Sequence, residues 1–389
     1  MITASRTRVT ILPNVVEFPS MSMDRFSVGF SDAIRQVKPP AWDFDFARCS
    51  GAEPWMQILP KKVEVRLSSL WGRWIKYPKV IRNLQSDVFH ILDHSHAILV
   101  DYLDAERTVV NCFDVIPLLS NLNLIDVPYK PWVLASFHKR IECMRRAARV
   151  VCVSDSTRND LIKYANFNPA RVSVVPIGLE PDFSPHPPLG DSLDDERLQF
   201  AKQYGLSPYT STILQVGTRN RYKNTPTALH VLREISQNKR DVCLLRVGAP
   251  FFEDELLLIE KLGIADRIFH IGRLSESDLR RAYRFASLLL FPSLYEGFGW
   301  PVLEAMASGC PVVVSNKGSL PEVVRDQTLC FDPHDINGMS DKICTILEDE
   351  SVRAKCVVAG LGTASTYSWE ATARETLTLY DQVMAGVTP

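Results

Sequence analysis

The chain has 389 residues, too many for one ordinary core and suited to two domains of roughly 180 residues each. With 46% apolar residues, 23% charged residues and a formal net charge of −1, it reads as a globular protein without bulk attraction for polyanions, which argues against nucleic acid as a partner. Its longest apolar runs, such as ASLLLF, fall well short of the ~20 residues needed to cross a bilayer, and MITASRTRVTILPNVV lacks the layout of a secretory signal, so the expected location is the cytoplasm.

From the start of the chain, RVTILP reads as a β-branched opening strand, followed by the Ser- and Met-rich stretch NVVEFPSMSM. DFD, Asp43 to Asp45, has the spacing of a metal-binding DxD. From Lys61 to Arg82 the segment KKVEVRLSSLWGRWIKYPKVIR carries seven cations against one glutamate, with two tryptophans and a tyrosine. Such a mixture suits a membrane surface or an anionic lipid-linked acceptor; it equally suits an amphipathic element whose aromatics pack on a sheet, with Pro78 interrupting any long helix.

DVFHIL, RTVVNCF, RVVCVS and VSVVPIG then read as strands separated by helical stretches. His90 falls within an apolar strand pattern and reads as core. His94 and His96 follow at the strand's carboxyl end, where either can face a ligand. The segment from Glu180 to Glu196, EPDFSPHPPLGDSLDDE, is rich in Pro and Asp and reads as a hinge or linker. Beyond it STILQVG, VCLLRVG, RIFHIG, SLLLFPS and PVVVSN repeat the alternation. The fold class is therefore α/β, with two doubly wound, Rossmann-like parallel sheets and a ligand at the carboxyl ends of their strands, in a cleft between the two domains. Nine scattered cysteines with no CxxC pair, several of them (Cys112, Cys152, Cys243) inside apolar runs, read as reduced core thiols.

Two loops concentrate the chemistry. In FPSLYEGFGWPVLEAMASG a buried strand runs into a glycine-rich loop, and a helix follows, with Pro301 at its first position, the last turn near Ser308 and Gly309 as its stop. Free backbone N–H groups at that helix start favour an anion, and Gly297 and Gly299 allow close backbone approach. Glu296 in the loop can accept hydrogen bonds from hydroxyls, and Glu304, one turn inside the helix, can receive the two hydroxyls of a ribose. In LQVGTRNRYKN another strand ends at Gly217 and is followed by Arg219, Arg221 and Lys223, cations able to neutralise a diphosphate leaving group. Each feature alone also suits a solvated loop; one nucleoside diphosphate would satisfy both.

The segment EGFGWPVLEAMASGCPVVVSNKGSLPEVV resembles the signature of retaining glycosyltransferases of family 4, which have the GT-B fold, with Glu296 and Glu304 matching its paired glutamates. The likeness extends through VGTRNRYKN, RIFHIGRLSESDLRRAYRFAS, AARVVCVSDSTRNDLI, VSVVPIGLEPDF and YSWEATARETLTLYDQV, and so covers nearly all of the chain after Val88. It implies an acceptor-binding domain at 1–184, a nucleotide-sugar-binding domain at 185–365, and a last helix within 366–389, containing Trp369 and Tyr380, that packs back on the first domain. It further implies that Glu296 contacts the donor sugar while Glu304 holds the ribose, and that Arg219 and Lys223 hold the diphosphate, Arg221 being the less certain cation. The backbone of Phe298 and Gly299 would meet the distal phosphate or sugar, and Gly272, Arg273 and Leu274 would border the base. The family generally needs no metal or other cofactor, and DFD lies in the wrong half for one. The donor would be a GDP- or UDP-linked hexose, mannose or glucose in type, and the acceptor a glycan or lipid-linked glycan in polysaccharide biosynthesis at the inner face of the membrane.

Two departures from the family stand out. NCFDVIPL places Phe113 where a histidine is expected, while Asp114 remains as a catalytic candidate; either another histidine, His94 or His96, substitutes, or the sugar group it would contact is absent or held differently, and the opening strand lacks its usual glycine pair. A sugar-nucleotide epimerase of the same fold, or a non-catalytic partner subunit, would share many of these features.

Overall fold

The computed structural model describes residues 6–17, 21–187, 192–237 and 241–386. The chain divides into two compact units, one of Met1–Leu124, Pro128–Gly178 and Ser368–Pro389, the other of Ile125–Val127 and Leu179–Tyr367.

The first unit is built on strands β1 (Thr7–Leu12), β2 (Trp42–Phe46), β3 (Val88–Ile91), β4 (Thr108–Cys112), β5 (Arg149–Cys152) and β6 (Val172–Val174). They form one parallel sheet in the order β2-β1-β3-β4-β5-β6. The central strands β3, β4 and β5 are buried at every residue, as strands covered on both faces must be. Strand β2 was not expected from the sequence: WDFDF alternates because it is an edge strand, and Asp43 and Asp45 pair there with Arg6 and Arg8.

The last helix, Trp369–Met384, belongs to this unit. Ser368 caps it by accepting from the Ala371 N–H. A Cβ on Gly29, in the Met21–Val37 helix, would lie 2.3 Å from the Trp369 ring, so the two helices meet at a residue without a side chain. Further along, the Tyr380 hydroxyl lies 2.6 Å from His90 Nδ1, and His90 Nε2 lies 2.9 Å from Asn111 Oδ1. His90 is thus a core residue with both ring nitrogens engaged.

The second unit carries β7 (Ser211–Gly217), β8 (Val242–Gly248), β9 (Ile268–Ile271), β10 (Leu288–Phe291), β11 (Val312–Ser315) and β12 (Cys330–Phe331). Its parallel sheet has the order β12-β11-β10-β7-β8-β9. The two-residue strand β12 is too short for any periodicity to announce it. Cys112, Cys152 and Cys243 are buried on β4, β5 and β8.

The boundary between units falls earlier than the composition implied. Residues from Leu179 onward already pack in the second unit, because Phe183 meets the Tyr283 ring at 6.1 Å and the Ser184 carbonyl accepts from Arg284. Of the expected linker, residues 188–191 lie outside the described residues, as do residues 18–20 of the Ser- and Met-rich stretch. Among the described residues no helix is long and apolar enough to cross a membrane.

Candidate active site

In the second sheet the chain leaves β7 toward β8 and β9, and leaves its neighbour β10 in the opposite direction toward β11 and β12. A crevice opens outside the carboxyl ends of two strands at such a switch point. Both loops singled out in the sequence begin there.

After β7 the backbone passes Gly217 and the exposed Arg219 into a turn at Arg221–Lys223. The Lys223 stem folds back over Gly217, its methylenes 3.5 Å from where a Cβ would stand. Its ammonium reaches Glu296 Oε1 at 2.8 Å and lies 4.6 Å from the centre of the Phe291 ring. Both side chains of this ion pair are about nine-tenths buried. Two ions withdrawn from water in this way need good geometry to offset their desolvation, and removing either one strands the other.

The two loops are also tied together by backbone and amide bonds. The Leu294 N–H donates to the Tyr222 carbonyl at 2.7 Å. Asn224, in the left-handed region at φ 52°, donates through Nδ2 to the carbonyls of Pro292 and Pro333, each at 3.0 Å. Asparagine tolerates that conformation better than most side chains, which is why it can end the turn. The Glu296 carbonyl in turn accepts from the Ser319 N–H at 3.0 Å and the Ser319 hydroxyl at 3.1 Å.

Gly299, at φ 96°, starts the Trp300–Ala307 helix, and the sharp turn there requires glycine. Pro301 occupies the second helical position, with Trp300 at the first, where a missing N–H still costs nothing. The helix stops at Gly309, φ 72°. Gly297 and Phe298 are buried in the loop, Phe298 against Tyr367. Glu304, one turn into the helix and buried, accepts from the Tyr283 hydroxyl through Oε2 at 2.8 Å.

Lys223, Glu296 and the start of the helix bearing Glu304 are therefore brought together by adjoining loops. The other cations are placed elsewhere. Arg219 lies 4.5 Å over the Phe252 ring, and Arg221 lies 4.0 Å from the same ring while pairing with Asp254 at 2.5 Å. Gly272 and Arg273, just past β9, are exposed and Leu274 is half-buried. The Gly272 carbonyl accepts from the Gly248 N–H at 3.2 Å, which joins the ends of β8 and β9.

The first unit has its own switch point, between β1 and β3. Asp93, buried, accepts from Asn14 Nδ2 at 2.9 Å and from the Ser95 N–H at 2.8 Å. His94 Nδ1 lies 3.6 Å from Asp93 and 3.5 Å from the Phe113 N–H, and the ring meets Phe137 edge-on. Burial holds the His94 imidazole below its ordinary pKa, against the pull of Asp93 and Asp114. His96 has no exposed surface and takes the Val15 N–H on Nε2 at 3.4 Å; burial and then Arg73 push it down to about 3. Its expected alternative role facing a ligand is therefore not available, whereas His94 keeps a sliver of surface. Phe113 packs edge-on against Phe26 at 5.0 Å, and Asp114 caps the following turn by accepting from the Ile116 N–H at 3.1 Å.

Sequence reasoning passed over Tyr283, Asn224, Asn14 and Asp93. Asp93 had a visible signal in its place at a strand's carboxyl end directly before His94. Tyr283 had none, because its partner Glu304 is 21 residues away on another helix.

Comparison with known proteins shows what this fold and these loops resemble. The family model described as glycosyl transferases group 1 matches residues 197–361, and that of glycosyltransferase family 4 matches residues 45–183. Each model covers less than half of the chain, one ahead of the other along it, and the fold is GT-B. It is 33% identical over 242 residues to the O-antigen chain mannosyltransferase B of Escherichia coli, covering 61% of this chain and 62% of that protein. It is 27% identical over 308 residues to the serotype-specific mannosyltransferase WbdA of Escherichia coli, covering 75% of this chain and 36% of that protein. The chain thus spans less than two thirds of the length of these relatives. Among solved structures, HepE of Anabaena, crystallised with UDP and glucose, superposes with a TM-score of 0.73 at 15% identity, covering 97% of this chain and 100% of that one.

Proposed function

We propose that the protein is a retaining, metal-independent glycosyltransferase that moves a hexosyl unit from a nucleoside-diphosphate sugar to a glycan or lipid-linked glycan acceptor during polysaccharide biosynthesis. The observation that carries this reading is the buried Lys223–Glu296 pair at the switch point between β7 and β10, with Glu304 one turn inside the adjoining helix. A diphosphate entering there meets an ammonium and a helix start, both of which favour anions. Glu296, already fixed by Lys223, offers its carboxylate to sugar hydroxyls, and Glu304, held by Tyr283, offers its own to a ribose.

The relatives' names favour mannose as the sugar, and the UDP and glucose of HepE keep a UDP-linked hexose as the second choice. In this scheme the second unit binds the donor and the first unit the acceptor. The sugar leaves its phosphate and is received by an acceptor hydroxyl on the same face, and the departing phosphate oxygen takes that hydroxyl's proton. No protein carboxylate is then required as a nucleophile, and Lys223, with Arg219 swung from Phe252, stabilises the charge developing on the diphosphate. No cofactor enters the scheme, and the protein works from the cytoplasm at the inner face of the membrane. The mannosyltransferase relatives favour transfer over the epimerase and non-catalytic readings.

The test is thermal stabilisation by GDP, UDP, GDP-mannose and UDP-glucose, each in EDTA and in magnesium. A ligand that binds only the folded state raises the melting temperature by mass action. One nucleotide is expected to stabilise the protein equally with and without metal, and Glu304→Ala to abolish the effect. No shift with any of the four would overturn the donor assignment. Incubation of the stabilising sugar nucleotide alone should leave it unchanged, and an epimer among the products would favour the epimerase.

A further inference from the structure

The cationic, tryptophan-containing segment of the first unit has no part in the donor site, yet it is built in an unusual way. Lys61–Trp71 is an α-helix that continues through a π turn at Gly72–Lys76 into Tyr77–Ile81. Val63, Leu67, Leu70, Trp71 and Trp74 share one face of it at helical spacing. A surface helix ordinarily turns such a stripe inward. Here all five are between 37% and 46% exposed.

The opposite face makes the contact with the protein, through small residues. Ser68 and Gly72 are buried, and a Cβ on Gly51 would lie 1.9 Å from the Ser68 carbonyl and 2.6 Å from the Gly72 Cα. Backbone therefore lies directly on backbone, and the helix is held with its large apolar side chains pointing away. The preceding turn, Pro54–Ile58, adds Trp55 and Ile58, the latter 86% exposed.

Charge surrounds this stripe asymmetrically. The segment from Lys61 to Arg82 has seven cations and one carboxylate. Lys61 pairs with Glu64 and Lys76 with Glu53, but Lys62, Arg66 and Lys79 are exposed and make no ion pair among the described residues. Lys62 and Arg66 lie along one flank of the apolar face. An apolar stripe with tryptophans, edged by unpaired cations, matches the layering of a bilayer surface, acyl chains below and anionic headgroups beside them.

We propose that the outward face of the Lys61–Ile81 helix is a docking surface for an anionic lipid bilayer, with Leu67, Leu70, Trp71 and Trp74 entering the acyl boundary and Lys62, Arg66 and Lys79 meeting the headgroups. The helix lies in the plane of the membrane without crossing it. This surface rests on the helix alone and stands or falls separately from the donor site.

The experiment is flotation of the full chain with vesicles of phosphatidylcholine alone and of phosphatidylcholine with an equal part of phosphatidylglycerol, at 0.1 M and 0.5 M salt. The bound fraction should be at least tenfold higher on the anionic vesicles at low salt, and fall at high salt as the cations are screened. Leu67→Ser/Trp71→Ser/Trp74→Ser should lose binding at least tenfold while it stays folded, with some loss of melting temperature because each side chain is about two-fifths exposed and otherwise packed, and with its further stabilisation by nucleotide as in the parent. Lys62→Glu/Arg66→Glu should abolish the preference for anionic vesicles. Equal binding to both vesicles, or none to either, overturns the proposal. So does a dimer in sedimentation velocity that the triple variant dissolves while vesicles remain unbound, since the stripe would then be covered by a second copy of the chain.

Discussion

The two units are variations on one design: six parallel strands with a switch point where the chain reverses direction along the sheet. What fills the two switch points differs. In the second unit, between β7 and β10, the side chains form a pair of opposite charges, Lys223 and Glu296, at the mouth of a helix. In the first, between β1 and β3, they form a closed set in which Asn14, Asp93 and His94 bond chiefly to one another and to backbone, with His96 sealed beneath them. Under the proposed function the first of these arrangements meets the donor, the diphosphate sharing with Glu296 the ammonium that already holds it. The second is buried, with the Asn14 Oδ1 and the Ser95 hydroxyl left without hydrogen-bond partners among the described residues, beneath a nearly covered His94. Topology sets where a site can lie; the residues at the strand ends decide what it can bind.

The largest expected effect comes from breaking the charge pair. Lys223→Met leaves Glu296 buried without its cation, and should lower stability by about 3–5 kcal/mol in urea denaturation and transferase turnover on the order of 100- to 1000-fold. Lys223→Met combined with Glu296→Gln removes both charges and should regain most of that stability with no regain of turnover. If the double variant recovered turnover as well, the pair would be a structural device, and the difference between the two switch points would lose its functional meaning.

Much of this contrast was legible in the sequence and part of it was not. The parallel strands announced themselves because strands covered on both faces carry uninterrupted apolar runs, and the glycines and Pro301 marked the second unit's loop and helix start. Two of the four edge strands escaped: β2 alternates with aspartates and β12 has two residues. Glu296 and Lys223 were identified singly, but their bond was not, since 73 residues separate them and only the adjacency of β7 and β10 joins them. Arg219 shows the converse, for a cation in the expected place is parked on Phe252, whose proximity no local pattern encodes. The segment at Lys61–Arg82 left two orientations open. The Gly51–Gly72 contact, a matter of tertiary packing, turned the tryptophans outward.

A middle-sized effect separates the units by pH. Burial, only partly offset by the bond with Asn111, pushes His90 in the first unit down to about 4, from 6.5 in an unfolded chain. The folded protein keeps it neutral, with the proton on Nε2 toward Asn111 and Nδ1 accepting from Tyr380, as the bonding pattern assigns. Unfolding therefore takes up a proton between those values. The stability this histidine contributes is complete above pH 6.5 and is lost as the pH falls toward 4, roughly 2–3 kcal/mol. His96, pushed the same way, steepens the trend. Urea denaturation at pH 7.5, 6 and 4.5 should show the loss, and His90→Gln should flatten it. A slope unchanged in that variant would assign the acid sensitivity elsewhere.

The smallest effect is the sharpest comparison, because the same atom can be deleted from each unit. Tyr283 and Tyr380 are both fully buried tyrosines whose hydroxyls hold a titratable partner, Glu304 in the second unit and His90 in the first. Phenylalanine at either position keeps the ring and removes one hydrogen bond, about 1–3 kcal/mol where a buried partner is left short. If Glu304 holds the ribose, Tyr283→Phe loosens the carboxylate that must meet it. The donor KM should then rise about tenfold while kcat stays within about threefold, since the lost contact is shared by ground and transition states. Tyr380→Phe should lower the melting temperature by a few degrees and leave the donor KM alone, because its bond serves only the first unit's core. Equal effects of the two substitutions on KM would mean that Tyr283 acts through general stability, and Glu304 would lose its distinction from any other buried carboxylate.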